Sequence, residues 1–577
     1  MSLQRISLAM IVRNEGKRLK ECLESVKDIV DEIVVVDTGS CDDTVRIAKQ
    51  YTDKVYSFPW RDDFSAARNF AIEQTKYEWI LSLDADERLD AQAGDLRCLI
   101  NQTRYSAYCL PLYAIKEAGD YREHDRFVVL RLFQRKYQFQ GAIHEYVFVS
   151  DPKEVGVAAV PVICHIEVAA AERHIRRGRN IALLKKAIAE HDADPCLQYY
   201  LGVEWLGLGR FKLAIDAFQK ALRQFSPAQI IFRSPTVRHL IQCYKNDGQL
   251  DAALCLCLEE SQQYPEYSDL FFDAGVLFEL KKEYSIAIKW FQEAVCLGAP
   301  PIVFFHTDGT EGYLANYHLG YCAEKIGLHK EAAAYYEAAL NNARNYYYPL
   351  YPLILLQLAQ RSAEEVMQYL NERGYFAIPE VSERLAELFW SAGLPDTGQR
   401  CLANTEMQQK TGWELRTRCQ LYGGDIAGAL QSMEQMRLNA FELPLEMQAD
   451  EIAALLMQGR FEEVRGRLWE LWRRPEGRDA FRAMFCLYKR LCDNTLLSLA
   501  NREAAVVLLN LAGRCLRAQT RDFQQQERLA AVIRAIREIL ASEVETLTLL
   551  ISDLSEKEQD VKRNLEYTCT ALRGLCR

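Results

Sequence analysis

The sequence predicts an α/β domain at the amino-terminal end and an all-α helical solenoid behind it. Two observations predict this fold class. Short apolar runs alternate with helical segments from Ile6 to Phe148, whereas continuous helical periodicity begins near Pro195. A chain of 577 residues is also too long for one hydrophobic core. We therefore predict an α/β domain over residues 1–190, regular helical repeats over 195–345, and a divergent helical extension over 346–577.

Strands and helices alternate in the first region, as a parallel sheet with crossover helices requires. The predicted strands are Ile6–Val12, Glu32–Asp37, Lys54–Phe58 and Trp79–Leu83, and the predicted helices are Gly16–Val26, Asp43–Tyr51 and Phe64–Gln74. Ligands of such sheets bind at the carboxyl ends of the strands. Polar or acidic residues follow each of the four strands, so this edge is the predicted site.

Small and aromatic residues recur at fixed spacing in the second region. The three matching sets are Gly202, Trp205, Ala214, Phe218 and Ala221; Gly275, Phe278, Ala287, Phe291 and Ala294; and Gly320, Ala323, Ala332, Tyr336 and Ala339. These offsets resemble the TPR consensus. Small residues let paired helices approach and aromatic rings fill the gap, so we interpret the pattern as packing. An insertion around His306 to Gly312 interrupts it.

Composition argues against several classes of partner. The chain has 80 acidic and 70 basic residues, a net charge of -10, which indicates no nucleic-acid partner. A basic cluster between Arg173 and Arg179 is interpreted as a solvated helix face, with a phosphate contact as the alternative. The 18 cysteines are scattered as in a reducing cytosol, and no apolar run reaches the ~18 residues of a membrane span. We expect a soluble, cytoplasmic protein without integral membrane association.

Two carboxylates follow the fourth strand, Asp84 and Asp86. The turn after a strand lets two such side chains converge on one hard cation, which can neutralise a diphosphate leaving group. An isolated pair of this kind is usually a solvated acidic turn. The neighbouring motifs favour the metal site, because Asp37 ends another strand where a base or ribose can bind. Arg68, on the helix that begins after Asp63, offers a guanidinium for bidentate oxygen recognition, with a surface ion pair as the alternative.

Taken in order, these motifs resemble glycosyltransferase family 2, in particular the bacterial subgroup that fuses a GT-A domain to TPR repeats and includes sublancin-type peptide S-glycosyltransferases. The resemblance covers residues 5 to about 190. It rests on the segments SLAMIVRNE, DEIVVVDTGSCDDT, DDFSAARNFA, WILSLDADE, RLFQRKYQFQGAIHE and HIEVAAAERHIRRGRNIALL. It implies a GT-A fold, Rossmann-like in its nucleotide-sugar part, and inversion at the anomeric carbon.

The resemblance also implies roles for individual residues. Asp37 and Arg68 would hold the nucleotide base and Glu15 would lie by the ribose. Asp84 and Asp86 would bind Mn²⁺ or Mg²⁺ on the diphosphate, with Asp84 close to the donor. His165, predicted to end a strand over 160–164, is a third metal ligand or a buried histidine. The residues after it, Ile166-Glu167-Val168, depart from the subgroup.

An inverting displacement needs one general base on the acceptor nucleophile. Glu145 is the candidate base and His144 is its competitor. The alternative is that either residue belongs to a structural pair. The fusion to TPR-like repeats predicts transfer from a nucleotide-sugar, a UDP-sugar in the first instance, to a protein or peptide acceptor. The alternatives are a polysaccharide or lipid-linked acceptor, and a scaffold with a relic domain. The helical region is expected to present the acceptor, to form a homodimer contact, or both, so a chain ending near residue 191 should keep donor hydrolysis.

Overall fold

The computed structural model describes residues 4–90, 96–101, 103–115, 124–166, 170–190, 194–343, 345–403, 405–406, 409–499, 501–517 and 523–541. Contacts between residues divide the chain into two compact units, residues 1–353 and residues 354–577. The first unit contains the predicted α/β domain together with the regular helical repeats.

The α/β domain follows the predicted succession. Its strands are β1 (Ile6–Val12), β2 (Glu32–Asp37), β3 (Val55–Ser57), β4 (Trp79–Ser82), β5 (Glu87–Asp90), β6 (Ala107–Ile115), β7 (His124–Gln134), β8 (Phe139–Gln140), β9 (Tyr146–Val147), β10 (Val155–Val157) and β11 (Val162–Ile166). Its helices are α1 (Leu19–Val26), α2 (Thr44–Ala48), α3 (Phe64–Glu73), α4 (Leu96–Ile100) and α5 (Ala170–Glu190). The predicted strands and helices are therefore confirmed, with ends that differ from the prediction by at most three residues.

The first four strands form the predicted parallel sheet, in the order β3-β2-β1-β4. Their apolar runs are buried because helices cover the sheet, and Leu8 and Met10 of β1 are fully buried. The sheet then continues as β7-β6-β11-β5, and β7 runs antiparallel to β4. The sequence did not predict this mixed half. It brings β7 and β11 to the edge where β1 and β4 end.

The repeats form pairs of helices within the first unit. Their helices are α6 (Pro195–Gly207), α7 (Phe211–Gln224), α8 (Ile230–Asn246), α9 (Leu250–Gln263), α10 (Ser268–Leu280), α11 (Tyr284–Leu297), α12 (Tyr313–Lys325) and α13 (His329–Asn342). A Cβ atom on Gly202 would lie 2.5 Å from the buried ring of Phe218. The pairs Gly275–Phe291 and Gly320–Tyr336 repeat that contact. The predicted packing role of the repeated glycines and aromatics is confirmed.

The insertion between α11 and α12 reaches back to the sheet. It forms the short strand β12 (His306–Thr307), which pairs antiparallel with Asp125 and Arg126 of β7. The hydroxyl of Thr307 donates a hydrogen bond of 2.7 Å to Asp125 Oδ1. His306 is buried, and its Nδ1 lies 2.8 Å from Asp269 Oδ2 on α10. The insertion thus joins the repeats to the sheet within one unit.

The remaining helices continue without regular repeats, as predicted. They are α14 (Leu350–Leu358), which contains the unit boundary, and α15 (Ala363–Glu372), α16 (Pro379–Ser391), α17 (Pro395–Cys401), α18 (Lys410–Gly423), α19 (Ile426–Leu438), α20 (Leu445–Gln458), α21 (Phe461–Arg473), α22 (Arg478–Cys492), α23 (Arg502–Arg517) and α24 (Phe523–Ala541). Residues 542–577 of the predicted extension lie outside the described residues. None of the described helices has the length and apolarity needed to cross a membrane.

Candidate active site

A cavity of about 680 Å³ opens at the carboxyl ends of β1 and β4. The strands are parallel, so the residues that follow them meet at one edge of the sheet. With the exception of Asp37, every predicted site residue lines this cavity: Glu15, Arg68, Asp84, Asp86, His144, Glu145 and His165. The structure therefore brings together side chains that are up to 150 positions apart in the chain.

Asp37 is buried at the end of β2 and holds the turn that follows it. Its carboxylate accepts hydrogen bonds from the backbone N–H groups of Gly39 and Ser40, at 3.2 Å and 3.1 Å. Gly39 has a φ of 108°, a conformation that favours glycine. The neighbouring Thr38 lines the cavity instead. The base contact implied for Asp37 stays a prediction, and the structure gives its carboxylate a role within the loop.

Arg68 is buried and is not the surface ion pair that the sequence left open. Asp63 caps α3 by accepting a hydrogen bond of 3.0 Å from the N–H of Ala66, which fixes the start of the helix. One turn later the Arg68 guanidinium donates to Asp84 Oδ1 at 2.6 Å and forms an ion pair with Glu145. This arginine therefore joins the metal motif to the candidate base.

Asp84 is held by a second arginine that the sequence analysis did not select. Arg131 Nη2 lies 2.8 Å from Asp84 Oδ2 and 2.6 Å from Glu87 Oε1. Burial alone would raise the pKa of Asp84, but the charges of Arg68 and Arg131 outweigh it and lower the pKa. For Glu87, burial dominates, so its pKa is raised despite Arg131. Both oxygens of Asp84 are thus occupied by guanidinium groups.

Register explains how Arg131 reaches the site. Leu132 of β7 pairs with Leu81 of β4, so Arg131 comes opposite the end of β4, beside Asp84. The antiparallel partner strand could not be assigned from the sequence alone. A single charge inside the apolar run from Phe127 to Phe133 was the available signal, because a lone arginine in a buried strand needs a partner.

Asp86 faces His165, whereas Asp84 faces Arg68 and Arg131. His165 Nε2 lies 3.6 Å from Asp86 Oδ2. The predicted strand over 160–164 was wrong by two residues, since β11 spans Val162–Ile166 and contains His165, opposite Glu87 of β5. Burial lowers the pKa of His165, but Asp86, and then Glu87 and Asp84, outweigh it, so the pKa is raised.

A divalent cation fits Asp86 and His165 better than it fits the predicted pair of aspartates. Carboxylate and imidazole groups both ligate Mn²⁺, and Asp84 is already neutralised by two arginines. Within the described ranges, no group of three or more His, Cys, Asp and Glu side chains is arranged to hold a metal ion. Any cation here would need further oxygen ligands from a bound molecule or from water.

Glu15 lines the cavity next to helix α5. Its carboxylate pairs with Arg18 at 2.9 Å and with Arg176 at 3.2 Å, and burial raises its pKa. Arg176 and Arg179 of α5 both line the cavity. Arg176 is partly buried and Arg179 is exposed, so the solvated face predicted for this helix agrees with the exposure of Arg179, and the phosphate contact that the sequence left open stays a prediction.

His144 and Glu145 lie in the loop between β8 and β9. The backbone of this loop is tied to α3 by a hydrogen bond of 2.9 Å from Phe64 N to Ala142 O. His144 has a φ of 50°, in the left-handed region, and its ring stacks on Tyr200 of α6 with centroids 3.9 Å apart. Its Nε2 is buried, 3.7 Å from Glu204 Oε1. Tyr200 and Glu204 come from the repeats, where the sequence predicted packing alone.

The sequence that forms most of this cavity matches a known protein family. The family model of glycosyl transferase family 2 matches residues 7–152, the segment that holds β1 to β9 and most of the cavity wall. The match ends before the segments that contribute Arg176, Arg179, Tyr200 and Glu204.

Two relatives match longer stretches of the chain. A TPR repeat-containing protein of Synechococcus elongatus is 34% identical over 267 residues, which cover 44% of this chain and 65% of that protein. The SPbeta prophage-derived glycosyltransferase SunS of Bacillus subtilis is 28% identical over 291 residues, 47% of this chain and 66% of that protein. The chain spans just under two thirds of the length of these relatives. The solved C-terminal part of a TPR repeat-containing protein from Cytophaga hutchinsonii is 13% identical, with a TM-score of 0.31, over 43% of this chain and 99% of that one.

Proposed function

Because residues 7–152 form a glycosyltransferase family 2 domain and TPR-like helices follow it, we propose that this chain transfers a sugar from a nucleotide-sugar to a protein or peptide. The observation that carries the proposal is the cavity at the ends of β1 and β4, where Arg68, Asp86, Glu145 and His165 converge. Transfer needs a donor phosphate site and a base for the acceptor, and both kinds of group are present in this one cavity.

The donor diphosphate is proposed to lie between Asp86 and helix α5. Arg176 and Arg179 are on that wall, and guanidinium groups bind phosphate oxygens in bidentate geometry. Burial first, and then the charges of Arg176 and Arg13, lower the pKa of Arg179, so other cations lie near its guanidinium. An anionic ligand would relieve that repulsion. UDP-sugars are the first donors to test.

Asp86 and His165 are the residues proposed to hold Mn²⁺ or Mg²⁺. When bound, such a cation would neutralise charge on the leaving diphosphate. His165 must be deprotonated to act as a ligand, and its raised pKa makes cation binding compete with protons. Asp84 is assigned a different task, since its two arginine partners fix the turn that carries Asp86.

The acceptor is proposed to be a peptide segment or protein side chain that approaches from the His144 side. Tyr200 on the first repeat helix stacks on His144, so a ligand held by the repeats would lie close to the reacting atoms. Repeat arrays commonly bind extended chains along their surfaces. Single displacement with inversion then requires a proton acceptor among His144 and Glu145.

Release of sugar from a panel of nucleotide-sugars tests the donor half of the proposal. Full-length protein is incubated with UDP-glucose, UDP-galactose, UDP-N-acetylglucosamine and GDP-mannose, with and without Mn²⁺. We expect hydrolysis of at least one UDP-sugar that depends on Mn²⁺ and is lost in Asp86→Asn. Asp216→Asn removes an exposed carboxylate paired with Lys220 on α7 and should leave hydrolysis unchanged.

A second readout does not depend on turnover. Calorimetric titration with Mn²⁺ in the presence of UDP should show binding by the unmodified protein and weaker binding by Asp86→Asn and His165→Ala. Absence of hydrolysis with every donor, together with absence of UDP binding, would overturn the proposed activity. Unchanged Mn²⁺ binding in both variants would overturn the cation site while leaving glycosyl transfer open.

A further inference from the structure

The His144 side chain is held by residues of the helical repeats rather than by its own domain. Its ring lies 3.9 Å from that of Tyr200, with an angle of 3° between the two planes. Its Nε2 atom is buried and 3.7 Å from Glu204 Oε1. Both partners are on α6, one helical turn apart, so they present a flat ring and a carboxylate on the same face of the helix.

The carboxylate behind His144 is itself fixed. Glu204 is 4% exposed, Arg177 Nη1 donates to its Oε2 at 2.9 Å, and Asn180 Nδ2 donates to its Oε1 at 2.7 Å. Burial raises the pKa of Glu204, but the nearby imidazole of His144, the hydrogen bond from Asn180 and the charge of Arg177 outweigh it and lower the pKa. An ionised carboxylate therefore faces the imidazole.

The loop backbone is fixed by the same helices. Ile143, next to His144, is buried against Leu184 of α5 and Leu197 of α6. The positive φ of His144 is a left-handed conformation that is strained for a residue other than glycine. Such a conformation persists only where the surroundings determine it, and here the surroundings are α5 and α6. Strained residues of this kind cluster at active sites.

We propose that Tyr200 and Glu204 are positioning residues that hold His144 as the proton acceptor for the incoming nucleophile. The inference rests on the proposed glycosyl transfer and assigns its base. The negative charge of Glu204, 3.7 Å from Nε2, favours the imidazole proton on that nitrogen, which leaves Nδ1 as the nitrogen with a free lone pair. The neighbouring carboxylate of Glu145 is tied to Arg68, so protonating it would break a buried ion pair.

The nucleophile of the acceptor, or water in hydrolysis, loses its proton to Nδ1 of His144 as it forms a bond to the anomeric carbon. The bond from that carbon to the phosphate oxygen breaks, and its electron pair leaves with the nucleoside diphosphate. His144 becomes an imidazolium whose charge is matched by Glu204, and its proton passes to solvent after product release.

Donor hydrolysis by full-length variants tests the inference. With UDP-glucose and the other donors of the panel at saturating Mn²⁺, Glu204→Gln should lower kcat by about 10- to 100-fold, because outer partners of a reacting group contribute on that scale. The donor KM should change by less than about twofold, because Glu204 is proposed to act on proton transfer and not on donor binding. Tyr200→Leu should lower kcat similarly, and Tyr200→Phe, which restores the ring, should recover most of the loss.

His144→Ala should lose about 100-fold or more in kcat and regain part of it with added imidazole. The matched control is Glu260→Gln, which removes another buried carboxylate, on α9, paired with Arg233 away from the cavity. It should lower the melting temperature without lowering kcat. If the unmodified protein neither hydrolyses a donor nor binds UDP, the proposed function fails. If it hydrolyses a donor, and Glu204→Gln or His144→Ala keeps the full kcat, this inference is overturned.

Discussion

Arg131 donates through a single nitrogen, Nη2, to Asp84 at 2.8 Å and to Glu87 at 2.6 Å. Glu87 in turn accepts a hydrogen bond of 3.0 Å from the backbone N–H of Asp84. One arginine therefore joins both ends of the turn that carries Asp86. The acidic motif depends on a cation from another strand, because two carboxylates this close would repel each other without it.

Replacing Arg131 should destabilise the first unit. Arg131→Met leaves the buried Glu87 and the partly buried Asp84 without a shared counter-charge, and breaking a buried pair of this kind costs roughly 3 kcal/mol. Urea unfolding measures the change. Arg135→Met is the control. Arg135 is exposed, and its Nη2 donates a hydrogen bond of 3.1 Å to the backbone oxygen of Glu73. Equal losses in the two variants would show that Arg131 does not stabilise the turn.

The stability of the first unit should fall in alkali because of His306. Burial lowers the pKa of His306, but the hydrogen bond with Asp269 and the nearby carboxylate of Glu311 outweigh it and raise the pKa to about 9. Asp308 of the same loop, Arg238 of α8 and Asp273 of α10 are further charged groups in this cluster. A histidine whose pKa is raised in the folded state contributes its full stabilisation of the fold below its unfolded pKa of about 6.5. That contribution is lost as the pH rises through the folded-state pKa of about 9.

Unfolding free energies at about pH 6 and about pH 10 should therefore differ by on the order of 3 kcal/mol from this group. His306→Gln should be less stable at the lower pH and should flatten the dependence. A variant with the same pH profile as the unmodified protein would show that another group is responsible.

Close approach of paired helices predicts opposite results for two glycines. Gly202→Ala places a Cβ atom 2.5 Å from the buried Phe218 ring, and overpacking of this kind costs about 1 to 3 kcal/mol. Gly178 in α5 has no neighbour within 4 Å, so Gly178→Ala should be neutral or stabilising by up to ~1 kcal/mol. Thermal melts of the two variants give the comparison. A destabilised Gly178→Ala, or an unaffected Gly202→Ala, would contradict the packing argument.

Truncation tests whether the repeats complete the site. The sequence predicted that a chain ending near residue 191 would keep donor hydrolysis, whereas the structure predicts the reverse. That chain lacks Tyr200 and Glu204, and it lacks the β12 segment that pairs with β7. A chain of residues 1–353, the complete first unit, should melt cooperatively and hydrolyse the donor. Equal hydrolysis by a folded chain of residues 1–190 would remove the repeats from the catalytic centre.

Local patterns in the sequence determined the strands, the helices and the repeats. The runs at Ile6–Val12 and Glu32–Asp37 are apolar because parallel strands are buried on both faces, and that property is written in consecutive residues. The glycine and aromatic positions of the repeats are also local, since each pair of helices packs the same way. The strand-end carboxylates Asp84 and Asp86 could be placed at one edge of the sheet for the same reason.

Only the tertiary structure decided which charged groups meet. Arg131 reaches Asp84 through the register of an antiparallel strand, and Glu204 reaches His144 through the packing of α6 on the loop. Neither contact follows from a period in the sequence. The two contacts join residues that are 47 and 60 positions apart, and these side chains meet only after the sheet and helices have packed. Hydrophobic periodicity specifies which faces are buried, whereas the partner of a buried charge is set by the long-range geometry of those faces. The sequence therefore determined where the site lies, and the fold decided what holds each of its side chains.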